Sequence, residues 1–211
     1  QPATMRSPRA HAFFGDQLLV LDGGNHAIRR LVEPQLLVPF AGKLGEPGNA
    51  EANEALPDAH FRFPNGMTVD PTTNHVYVMD QGNCVVRRIT QDSVQLIAGR
   101  NGDCRSVDGP PDSARLDLPL TGPYPYSIYN ILSLGGIAVD PKTGLVLVSD
   151  KTGLREISPN GTIRTPSISS AATAERAGPL AWIPSHLSGF SFHAAGRLLV
   201  AEQVRHPVTA V

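Results

Sequence analysis

The sequence predicts an all-β chain built from repeated antiparallel sheets, and three observations carry that prediction. Of 211 residues, 20 are glycine and 19 are proline, spread throughout, a frequency that breaks long helices and suits short strands joined by many turns. No window holds a sustained helical period of apolar residues with a cap at each end; the best helical stretch, Asn49 to Ala55, is short and closed in by Gly48 and Pro57. The third observation is repetition. The same residue pattern returns at spacings of 58 and 70 residues, the mark of an array in which each unit is one small sheet.

The first copy, near residues 10–42, opens with Ala10 to Phe14 and continues as Leu18-Leu-Val-Leu-Asp-Gly-Gly-Asn-His-Ala-Ile-Arg-Arg-Leu31. That run superimposes on Val76-Tyr-Val-Met-Asp-Gln-Gly-Asn-Cys-Val-Val-Arg-Arg-Ile89 of a second copy near 66–99, so Asp22, Asn25 and Arg29 align with Asp80, Asn83 and Arg87. The second copy in turn matches a third, near 136–166, where Gly136 to Asp150 repeats Gly66 to Asp80. A weaker fourth copy, near 189–211, starts at Gly189 and has Glu202 where the others have Asp. Long segments at 43–65, 100–135 and 167–188 join the copies, and the whole of 1–211 reads as one domain or part of one.

Each copy is expected to be a four-stranded antiparallel meander. In the second, strand one is Met67 to Asp70 and strand two Val76 to Met79, joined by the turn Pro71 to His75, where proline sets φ and Thr and Asn supply local hydrogen bonds. The tight loop Asp80 to Asn83 follows, its Gly82 and Asn83 tolerating the positive φ of a hairpin reversal. Strand three is Val85 to Ile89, and strand four, Val94 to Ala98, ends at Gly99. One such sheet cannot cover both of its faces alone, so the copies are expected to pack face to face around an axis, which is a β-propeller.

Composition excludes several functions. With 18 Lys and Arg against 19 Asp and Glu, the formal charge is −1, which removes the long-range attraction that a dedicated nucleic-acid or anionic-membrane binder needs. No run approaches the roughly 20 apolar residues of a membrane-spanning helix, so membrane insertion is not expected.

The blade signature resembles the NHL repeat: Pro-x-Gly and an apolar strand to Asp, a second strand to Asp, then x-Gly-Asn and an aliphatic-Arg pair. Pro64-Asn-Gly66 through Arg87 fits it almost fully and Asp22 to Arg29 fits its second half. Ala41-Gly42 and Ala98-Gly99, followed by Asp108-Gly109 and Ala114 to Pro119, resemble the inter-blade segments of one NHL subgroup. The third copy departs from the pattern, since Asp150-Lys-Thr-Gly153 lacks the Asn. The resemblance implies a propeller larger than four blades, completed by further chain or by partners. It also implies three kinds of activity: a protein-binding scaffold, a metal-dependent lyase or hydrolase working in the channel, or single-stranded RNA binding.

The Asp22/Arg29 and Asp80/Arg87 pairs recur in register, which points to a structural ion pair or turn cap; an acid and base pair would need environments that separate their pKa values. Of the histidines, only His11 and His193 fall in innermost strands, too few to expect a metal site, and no cofactor is expected. Cys84 and Cys104 are the only cysteines, and their spacing allows a disulfide; together with Asn160-Gly-Thr162, a candidate glycosylation site, they tilt the reading toward an oxidising, extracellular-type compartment. Tandem arginines at 29/30 and 87/88 offer a basic stripe, but strand alternation sends one of each pair to either face, and nucleic acid is disfavoured as a ligand. The most informative irregularity is an insertion: Gly66 lies 2 residues after Pro64, whereas Gly136 lies 17 after Pro119, so the 15 residues Leu120 to Leu134 are extra. They hold Tyr124, Tyr126 and Tyr129, and aromatic, proline-stiffened loops favour protein interfaces. His26 and Gln81, in the loop between strands two and three, complete the expected partner contacts. The sequence therefore predicts a non-catalytic propeller scaffold presenting loops to a protein partner in a larger assembly.

Overall fold

A computed structural model describes residues 4–34, 36–49, 52–118 and 136–166, and the backbone of 187–192 and 198–202. Its strands form four separate antiparallel sheets in chain order. Sheet one is β1 (Pro8–Phe14), β2 (Gln17–Asp22), β3 (Ala27–Glu33) and β4 (Leu36–Ala41), each paired with the next. Sheet two contains β5 (Asn53–Ala55), β6 (Pro64–Val69), β7 (Val76–Asp80), β8 (Val85–Ile89) and β9 (Ser93–Gly99), in the order β5-β9-β8-β7-β6. Sheet three is β10 (Ile137–Val139), β11 (Val146–Asp150), β12 (Gly153–Ile157) and β13 (Ile163–Arg164), and a fourth pairs β14 (Leu187–Phe192) with β15 (Leu198–Glu202). The first strands of successive sheets, β1, β6, β10 and β14, lie beside one another, as the inner strands of propeller blades do. No helix among the described residues is long and apolar enough to cross a membrane.

Two differences from expectation have physical causes. The second sheet has five strands: Asn53–Ala55, at the end of the best helical stretch, pairs antiparallel with the outer edge of β9. Between Gly48 and Pro57 there is too little chain to nucleate a helix, whereas β9 offers a ready edge of unpaired backbone groups. The second difference is in the 2–3 turn. Gly23–Asn25 and Gln81–Asn83 each form one 3-10 turn, and the left-handed residues are the ones that follow, His26 at φ 58° and Cys84 at φ 57°. The central glycines serve close approach instead. A Cβ on Gly82 would sit 2.6 Å from the Arg62 carbonyl oxygen, and one on Gly24 2.6 Å from that of Arg6.

Period-2 alternation explains how sheet two holds the array together. Val76 and Val78 of β7 point into a core shared with Leu19, Leu21 and Ile28 of sheet one, capped by Phe61. Their neighbours Tyr77 and Met79 point the other way, into a core shared with Val139, Val146 and Val148 of sheet three. A strand buried on both faces reads as a continuous apolar run, and Val-Tyr-Val-Met is one. At the far end of the sheets the hairpin turns are cross-linked. Asp70 accepts from the Thr72 N–H and the Thr73 hydroxyl, and Asp140 repeats the arrangement with Lys142 and Thr143. Gly15 donates to the Asn74 side chain of sheet two, whose Thr72 hydroxyl donates to the Pro141 carbonyl of sheet three.

Candidate functional site

In an antiparallel meander the 2–3 turn and the connection from strand four to the next strand one fall at the same end. That end carries the repeated Asp, Asn and Arg residues, and the geometry shows what they do. In sheet one, Asp22 Oδ1 accepts from the Arg6 backbone N–H at 2.7 Å, while Oδ2 accepts from Asn25 Nδ2 at 2.9 Å and meets Arg29 Nη1 at 3.4 Å. In sheet two, Asp80 accepts from the Arg62 N–H at 2.7 Å and Asn83 Nδ2 at 2.8 Å, with Arg87 Nη1 at 3.9 Å. Arg87 turns its other nitrogen to Glu54 at 2.5 Å and lies 5.4 Å above the Phe61 ring. These carboxylates therefore fasten the chain entering each sheet to that sheet's own turn, and the turn answers: Gly24 N–H donates to Arg6 O, and Gly82 N–H to Arg62 O.

In the third sheet the corresponding Asp holds its own turn and the segment after β9 with other residues. Asp150 accepts from the Thr152 N–H and hydroxyl in place of an Asn, and from the Ser106 hydroxyl. Its guanidinium is Arg155, 3.0 Å away and buried, whose second nitrogen meets Asp108 at 2.5 Å. Sequence reading missed Arg155 because the shorter turn places it 5 residues after Asp150, where the first two copies have 7. It also missed Glu54, and it read Asp108 only as part of an inter-blade motif, without its pairing to Arg155.

The environments of these groups differ in one respect. Asp80 is fully enclosed, and burial pushes its carboxyl up to about 7 against the lowering pull of the Arg62 N–H, Asn83 and Arg87. Arg87 is drawn toward Glu54, which weakens its hold on Asp80. Asp103, in the segment after β9, is the opposite case: hydrogen bonds from Arg105 and Arg115 hold it well below the usual carboxylate range.

His26 and Gln81, expected as partner contacts, are each only 6% exposed and belong to the body of the fold. The left-handed backbone at His26 lays its ring against Phe63, edge-on with centroids 4.5 Å apart, and its Nδ1 accepts the Phe63 N–H at 3.1 Å. Burial first, then the charges of Arg6 and Arg62, lower the His26 pKa, which matches a neutral ring with a bare Nδ1. The outward chemistry at this end is different: Phe63 is 47% exposed and Met5 equally so, with Arg6 and Arg62 exposed beside them. An exposed aromatic just before a proline is a readable signal, and sequence reasoning passed over it.

Tyr124, Tyr126, Tyr129 and His193 lie outside the described residues. His11 is exposed on β1, and no group of three or more metal-ligating side chains occurs among the described residues. Cys84, buried at the cap of the second turn, is joined to exposed Cys104 with Cα atoms 5.3 Å apart, so the disulfide ties the start of the 100–118 segment to sheet two. Asn160 is exposed in the β12–β13 turn, where its side chain accepts the Thr162 N–H. Arg29 and Arg87 are buried and Arg88 forks onto Gln95, so the tandem arginines make no continuous basic stripe.

No family model matches the chain, and no curated protein matches it. Solved structures do. A Bacteroides thetaiotaomicron protein of unknown function is 19% identical over 89% of this chain and 42% of its own, with a TM-score of 0.55. Virginiamycin B lyase from Staphylococcus aureus is 12% identical over 96% of this chain and 51% of its own, TM-score 0.54. An auxiliary nutrient binding protein from Bacteroides ovatus is 13% identical over 91% and 44%, TM-score 0.56. These neighbours are propeller-like, and at such identities the likeness shows the fold: an all-β array of antiparallel sheets of the β-propeller kind. The chain spans about half the length of these neighbours or less.

Proposed function

We propose that this chain is a non-catalytic, NHL-type propeller scaffold whose turn-bearing end captures a protein partner within a larger assembly. One observation carries the reading. At that end the recurring carboxylates are consumed in bonds to backbone N–H groups, Asn, Thr and Arg, while Phe63, Met5, Arg6 and Arg62 face outward. Phe, Met and Arg are the residue types enriched at protein interfaces. Tyr124, Tyr126 and Tyr129 of the inserted segment are part of the same proposal as further aromatic anchors for the partner. Likeness to a nutrient-binding protein is compatible with a binding role on this fold. The test is crosslinked capture with wild type, a Phe63→Ser/Arg62→Ser variant and a Tyr124→Ala/Tyr126→Ala/Tyr129→Ala variant. Partner recovery should fall in both variants while the melting curve stays put; capture unchanged by either variant refutes the reading.

The likeness to a lyase favours a second reading, a metal-dependent lyase or hydrolase. A stoichiometric divalent ion in the purified chain, lost on changing His11 or His193 to Ala, would favour it.

A further inference from the structure

Asn160-Gly-Thr162 is the one Asn-x-Ser/Thr triplet in the sequence. The structure sets it in the turn between β12 and β13, at the end of the sheets away from the 2–3 turns. Asn160 and the preceding Pro159 are exposed, whereas Gly161 is buried. Gly161 seats the turn: its backbone is left-handed at φ +84°, and a Cβ there would lie 2.6 Å from the Ile97 carbonyl oxygen of β9.

Residues 158–162 close on themselves. The Ser158 N–H donates to the Thr162 carbonyl at 2.9 Å, and the Gly161 N–H to the Ser158 carbonyl at 2.8 Å. Asn160 Oδ1 accepts from the Thr162 N–H at 3.1 Å and from the Ser158 hydroxyl. Two atoms of the triplet take no part, because neither Asn160 Nδ2 nor Thr162 Oγ1 has a hydrogen-bond partner among the described residues. The equivalent turn of sheet two, 90–93, closes with the same backbone bond, Thr90 N–H to the Ser93 carbonyl, and contains no asparagine. The hairpin therefore has no use for a free amide nitrogen or for the threonine hydroxyl.

Those are the two groups that mark an acceptor for N-linked glycosylation. We propose that Asn160 carries an N-linked oligosaccharide. In the transfer, Nδ2 attacks C1 of an oligosaccharide held on a lipid pyrophosphate. The C1–N bond forms as the C1–O bond breaks, the lipid pyrophosphate leaves with the electron pair, and Nδ2 gives up one proton. The Cys84–Cys104 disulfide agrees with this, since disulfides persist in oxidising compartments such as the lumen where the transfer occurs. A glycan here projects from the end opposite Phe63 and leaves the proposed capture surface clear.

The experiment is peptide mapping of the protein expressed in its own cells, as wild type, Thr162→Ser, Thr162→Ala and Asn160→Gln. Glycoamidase digestion in heavy-oxygen water converts a glycosylated Asn160 to a labelled Asp within the tryptic peptide 156–164. Wild type and Thr162→Ser should carry the label, and Thr162→Ala and Asn160→Gln should lose it completely. Thr162→Ala is the decisive variant, because that hydroxyl holds nothing in the turn; circular dichroism checks that the fold is kept. An unlabelled wild type overturns the proposal. So does label that survives Thr162→Ala, or that appears equally without the glycoamidase, which is spontaneous deamidation at Asn160-Gly161. None of these readouts involves a protein partner, so failure of partner capture leaves them unchanged.

Discussion

Removing the disulfide is the sharpest probe of how the long connecting segment is held. Cys84 and Cys104 are 20 residues apart in sequence, and closing a loop of that length lowers denatured-chain entropy by an amount worth roughly 3 kcal/mol at 25 °C. For a chain of this size each kcal/mol moves the midpoint by about 2–4 °C, so Cys84→Ala/Cys104→Ala should melt about 6–12 °C lower, and wild type in reductant should melt with it. Differential scanning calorimetry with and without reductant gives both values. The native contacts need not dissolve. Ser106 still meets Asp150, Asp108 still meets Arg155, and Gly109 still pairs with Ile163. The loosened part is the stretch just after β9, where the Arg105 side chain is 65% exposed, so trypsin should cut there faster. A shift under about 2 °C would mean that the contacts to sheet three already restrict this segment in the unfolded ensemble, and the entropic argument would fail.

Arg155→Met leaves Asp150 buried without its guanidinium and should cost about 3–5 kcal/mol in urea unfolding. Asp108→Asn, at a half-exposed partner of the same arginine, should cost under about 1 kcal/mol; equal losses would show that the buried pair is not the anchor. Stability should also fall as pH rises from about 4 toward 7. The buried Asp80 carboxyl keeps its proton to about 7 in the fold but loses it near 3.8 when unfolded, so the folded state holds the extra proton across that window. Asp80→Asn should flatten this slope in urea midpoints taken at several pH values, and an unchanged slope would remove Asp80 as its source.

What could be read from the chain, and what could not, divides along the range of the interactions involved. Val76 to Met79 announces a strand buried on both sides, because an unbroken apolar run is written into consecutive residues. The structural role of Asp22 and Asp80 was legible because two copies kept Asp, Asn and Arg in one register. Arg155 was not, since two residues fewer in the turn break the alignment while geometry restores the contact. Asn53–Ala55 became a strand only because β9 had an edge to offer, which no local propensity encodes. His26 faces inward for a conformational reason: a left-handed residue after a 3-10 turn is usually sought as Gly or Asn, and here it is His in one copy and Cys in the other; Gln81, the first residue of the second 3-10 turn, is likewise only 6% exposed.

The same division bears on function. A residue type that recurs in register tends to answer a need that recurs, and in a repeat array that need is the joint between one sheet and the next. The carboxylates at this end are spent on that joint, down to the third copy, where Thr152 and Ser106 stand in for the missing Asn. Specific recognition must then come from residues that differ between copies. Phe63 illustrates this: the equivalent position in the first copy is Ser7, with the same left-handed backbone (φ 47° and 50°) just before a proline. The frame is common to both copies, and the aromatic ring it displays at position 63 belongs to one, so on the proposed reading substituting Phe63 is expected to lower partner capture with the fold intact, whereas substituting Asp80 or Arg155 is expected to unsettle the fold itself.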